Sequence, residues 1–178
     1  MLKIIANLCT DFKGFIDYLS QLKKLANEGN QTALICIKNL GYNLDDYSLK
    51  KYFQHIDFRF VEKHADSEQG LMVLRQCASA GYSSMFGGSK EQEEWFCEFI
   101  KKKLVEGGGG SGGSHQSQAV YILANMIFQA NNIPKALEII QEHQVLKLCQ
   151  DRRAVSILVE NLKFSKDPQV KTFMKQQK

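Results

Sequence analysis

Eight consecutive residues, Gly107 to Ser114 (GGGGSGGS), are nothing but glycine and serine. A run of this kind has no stereochemical preference and behaves as a flexible coil, with an r.m.s. span of roughly 16 Å and a stretched limit of about 28 Å. Whatever ends before it and begins after it must therefore lie close together in space. Its purity is that of an inserted linker rather than a natural loop. The chain accordingly reads as a helical segment over 1–106, an engineered Gly/Ser linker over 107–114, and a helical segment over 115–178 that packs on the first to make one domain. Two origins fit the linker: a long loop cut out and bridged, or a partner segment tethered to a helical domain. Two amphipathic halves, each short of surface on which to bury its stripe, favour the excised loop.

Outside the linker, helix breakers are scarce. Six of the 13 glycines fall in that run and the chain has only 2 prolines, so helix is favoured throughout. After Thr10 or Asp11 as a cap, Phe12, Phe15, Ile16, Leu19, Leu22 and Ala26 recur at spacings of three and four, and Gly29 stops that helix. Gln31 to Leu40 forms a second, closed by Gly41, and Asp45 or Asp46 caps a third bearing Leu49, Tyr52, Phe53 and Ile56. The alternating stretch Asp57 to His64 (DFRFVEKH) is too short to build a sheet on and reads as a connector. Asp66 with Gln69 three residues on resembles a capping box. Ala80 to Lys90 reads as a surface loop, and the helix after it carries Glu91, Glu93 and Glu94 first and Lys101 to Lys103 last, matching the helix dipole.

Beyond the linker, Ser117 is the expected cap of a helix burying Val120, Leu123, Ala124, Ile127 and Phe128. Asn131-Asn132 turns the chain into a helix with Pro134 in its first turn, which completes a hairpin. Asp151 and the pair Asp167-Pro168 open the last two helices. The fold class expected is all-α, a helical-hairpin repeat-like or irregular bundle of about eight or nine helices.

The stretch Gln31 to Phe53 (QTALICIKNLGYNLDDYSLKKYF) resembles the joint between two pentatricopeptide-type units. Ala119 to His143 (AVYILANMIFQANNIPKALEIIQEH) is similar to one helix-turn-helix unit of the tetratricopeptide and pentatricopeptide class. The resemblance implies a stack of helical hairpins with a concave binding surface, and it carries over no binding residue.

The chemistry of a catalyst is not in evidence. The histidines, His55, His64, His115 and His143, form no HxxxH or HExxH spacing, and the five cysteines, Cys9, Cys36, Cys77, Cys97 and Cys149, form no CxxC. No metal site or cofactor is expected. Cys149 with His143 is the one nucleophile-base pair near in sequence, but residues six apart share a helical face poorly. The segment Phe86 to Lys90 (FGGSK) lacks the spacing of a phosphate loop. Glu91, Glu93, Glu94 and Glu98 read as solvated glutamates rather than an acid-base pair. A non-enzymatic protein is expected.

Charge and aromatic residues point to partners instead. From His143 to Lys178 eight basic residues face three acids, while the remainder of the chain balances 15 against 16. Arg152, Arg153, Lys163, Lys166, Lys171 and Lys175 are the candidate contacts for nucleic acid or an acidic partner. Phe164 and Phe173 are expected in the core, which leaves no stacking platform for bases. Trp95 and Phe99 are the candidate anchors for a protein partner. An odd number of scattered cysteines among apolar neighbours points to buried thiols in a reducing, intracellular compartment, cytoplasm or nucleus. No apolar run is long enough for a membrane span. The first functional expectation is thus a scaffold or adaptor that binds another protein through a groove or helix face where the two halves meet. The alternative is an RNA- or DNA-binding helical repeat that uses the basic C-terminal helices.

Overall fold

The computed structural model describes residues 12–41, 52, 55–79, 89–106, 112–130 and 132–177. Among these there are ten helices and no strand: α1 (Phe12–Asn27), α2 (Gln31–Gly41), α3 (Phe58–His64), α4 (Glu68–Ser79), α5 (Lys90–Glu106), α6 (Gly112–Phe128), α7 (Ile133–Glu142), α8 (Val145–Leu148), α9 (Arg152–Phe164) and α10 (Pro168–Gln176). The protein is all-α. The caps expected at Thr10 or Asp11 and at Asp45 or Asp46, most of the helix through Leu49 and Phe53, the loop 80–88, Cys9 and residues 107–111 lie outside the described residues. The helices group into two compact units, Met1–Ala80 and Gly81–Lys178.

In the first unit α1 packs on α2, α2 on α4 and α3 on α4. Gly29 ends α1 with a positive φ of 93°, a conformation that costs glycine nothing because it has no Cβ. The core holds Leu19, Leu34, Ile37, Leu40, Tyr52, Ile56, Leu71 and Leu74. Buried Tyr52 donates its hydroxyl to the Ile37 carbonyl at 2.7 Å, which satisfies the polar tip that burial would otherwise strand. Burial pushes that phenol well above its ordinary range.

Two expectations in this unit are corrected. Asp57 to His64 is not a connector: Asp57 accepts from the Phe60 N–H at 2.9 Å and so caps α3. Phe60 and Val61 are buried, so packing on α4 decides a segment whose seven residues are too few to distinguish one period from another. The Lys23 ammonium of α1 reinforces the cap, 2.7 Å from Asp57 Oδ2. That hydrogen bond, with the Phe60 N–H, outweighs partial burial and holds the Asp57 carboxyl below its usual range. The cap of α4 is Ser67 and not Asp66: its hydroxyl accepts from the Gly70 N–H at 3.0 Å and donates to the His64 carbonyl at 2.8 Å.

In the second unit α6 is the central helix, packed against α5, α7 and α9. Gln118, Ala119, Val120, Ile122, Leu123, Ala124, Met126 and Ile127 are buried, which leaves the helix apolar nearly all round, as a helix enclosed by others must be. Ser117 does not cap it, because α6 begins at Gly112. The final residues of the Gly/Ser run are thus helical rather than coil. Packing of the following turns overrides the weak helical preference of glycine, and the Gln116 amide ties the early turns to the Leu104 carbonyl of α5 at 3.1 Å.

Candidate interaction surface

The direction of α9 relative to α6 determines where side chains meet. Near the start of both helices the Ser117 hydroxyl bonds the Asp151 carboxylate, and the Gln150 N–H reaches Gln116 Oε1 at 3.5 Å. Farther along, Asn161 Nδ2 donates to the Ala124 carbonyl at 2.8 Å. Both sequences advance together, so α6 and α9 run parallel. Each is followed by a helix that turns back, α7 after α6 and α10 after α9, and α7 packs on α10. The turn after α6 is made by Ala130 and Asn132, both with positive φ. The turn after α9 is made by Asp167, whose carboxylate accepts from the Gln169 and Val170 N–H groups at 2.8 and 3.3 Å.

The shared end of this hairpin pair exposes two large apolar rings. Phe128, the last residue of α6, is 70% exposed, and Phe164, the last of α9, is 82% exposed. Both were expected in the core from their helical spacing. Asn161 and Ala124 hold the seam about one turn earlier, and both rings follow that last contact at the helix ends. Phe173 is buried as expected.

The candidate anchors Trp95 and Phe99 stack on each other on α5, centroids 5.2 Å apart and planes 14° from parallel. Trp95 is half-buried and Phe99 buried. Lys103, one of three consecutive lysines near the end of α5, is 3% exposed: its ammonium pairs with Glu106 at 2.7 Å and lies 5.3 Å from the Phe99 ring centre. Phe99 therefore belongs to a packed aromatic and cationic cluster rather than to an open surface. Lys101 joins α5 to α7, with Glu142 at 3.1 Å and Glu98 at 3.3 Å.

All six candidate basic contacts are exposed, but they do not gather in one place. Arg152 and Arg153 start α9, whereas Lys163 lies in its last turn and Lys166 follows it. A helix of this length separates its ends by about 20 Å. Lys171 and Lys175 are one turn apart on α10 and share a face.

Asp151 anchors the opposite end of the seam. The Ser117 hydroxyl, with the Ala154 and Arg153 N–H groups, holds its carboxyl below the usual range. The lowered pKa means that its stabilisation is present above the ordinary carboxylate range and is lost as pH falls through the folded value. Asp151→Ala is expected to cost about 1 kcal/mol at neutral pH through the lost cap. Urea midpoints of wild type and variant should converge on acidification, and a gap that stays constant would count against this role.

Cysteine chemistry is muted. Cys77, Cys97 and Cys149 are buried and unpaired by disulfides, and burial raises all three thiols, Cys97 to about 11, which leaves little thiolate at neutral pH. Cys149 Sγ points to the Asp151 carbonyl at 4.0 Å. No group of three or more metal-ligating side chains occurs among the described residues, and none of their helices is long and apolar enough to cross a membrane. No protein-family model, no curated protein and no solved structure matches the chain.

Proposed function

We propose that the protein is a non-enzymatic helical scaffold whose second unit binds another protein. The observation that carries this reading is the pair Phe128 and Phe164, exposed at the common end of two parallel helices. Single exposed apolar residues are ordinary, whereas two large exposed aromatic rings at one end of a helix pair are candidate anchors of a protein interface. Stacking of the α6–α7 and α9–α10 hairpins agrees with a repeat-like scaffold, and the buried free thiols agree with an intracellular, reducing location.

The test is a photo-crosslinking amino acid at position 164, irradiated in cells, beside the same residue at exposed Arg152. Protein adducts specific to position 164 and resistant to nuclease are expected. Absence of such adducts, or adducts that nuclease removes, would overturn the reading.

A second reading, binding of RNA or DNA, draws on the six exposed basic side chains. It expects fluorescence anisotropy of labelled single-stranded RNA to rise with protein at low salt, to fall steeply with added salt, and to weaken in Lys171→Glu/Lys175→Glu. The separation of Arg152 and Arg153 from Lys163 and Lys166 gives no continuous stripe for a phosphate backbone, so the protein partner is preferred.

A further inference from the structure

We draw no further inference here: the strongest candidate, the cleft of about 460 Å³ between α5 and α7 that Cys97 lines, carries none, because its three lysines are paired with its own glutamates and nothing beside the lone buried thiol points to a ligand.

Discussion

Gly70→Ala is expected to lower the stability of the first unit by on the order of 3 kcal/mol, the upper range for a side chain forced into a filled space. A Cβ at this position would stand 1.8 Å from the His64 carbonyl oxygen, with the Ser67 hydroxyl at 3.0 Å. The obstruction is the backbone of the α3–α4 turn, so no side chain can swing aside to relieve it. Gly29→Ala is the informative companion. Nothing lies within 4 Å of a Cβ there, but its φ of 93° is one that L side chains rarely adopt, and the expected cost is about 1 kcal/mol. Urea unfolding followed by far-UV circular dichroism compares the two. If Gly70→Ala cost no more than Gly29→Ala, α3 and α4 would not approach as closely as described.

Ile122→Ala should cost about 3 kcal/mol, while Phe128→Ala on the same helix should change stability by less than about 0.5 kcal/mol. Ile122 is fully buried at the centre of the second unit, and Phe128 is 70% exposed. Truncating Ile122 removes apolar contacts on an enclosed helix and leaves a cavity, but truncating Phe128 trims surface that already faces water. Trp95, the chain's one tryptophan, lies in this unit, so its fluorescence during urea unfolding reads the difference directly. Equal losses for the two variants would mean that the Phe128 ring is covered in solution.

Much of this architecture was legible because it is local. Asp151 and Asp167-Pro168 mark the starts of α9 and α10, and both aspartates do accept the first-turn N–H groups, a bond that needs only the residue and its near neighbours. What stayed hidden depends on neighbours distant in sequence. The periodicity that placed Phe128 and Phe164 in the core is sound for the middle of a helix, but whether the last turn is covered depends on where the adjacent helix stops. Lys103 is buried against Phe99 and Glu106 although lysine is among the least buried residue types, and nothing in a run of three lysines marks which one turns inward. Phe60 and Val61 make α3 a helix only because α4 lies beside it.

The parallel pairing of α6 and α9 also bears on how the second unit forms. Adjacent antiparallel helices can close as a hairpin soon after both exist, but the Asn161–Ala124 bond joins residues 37 apart. The chain must first place α7 and α8 in between, so loop-closure entropy is spent before this contact contributes anything. The seam is therefore expected to close late. Asn161→Ala should then speed unfolding while leaving the refolding rate nearly unchanged, the signature of an interaction absent from the transition state.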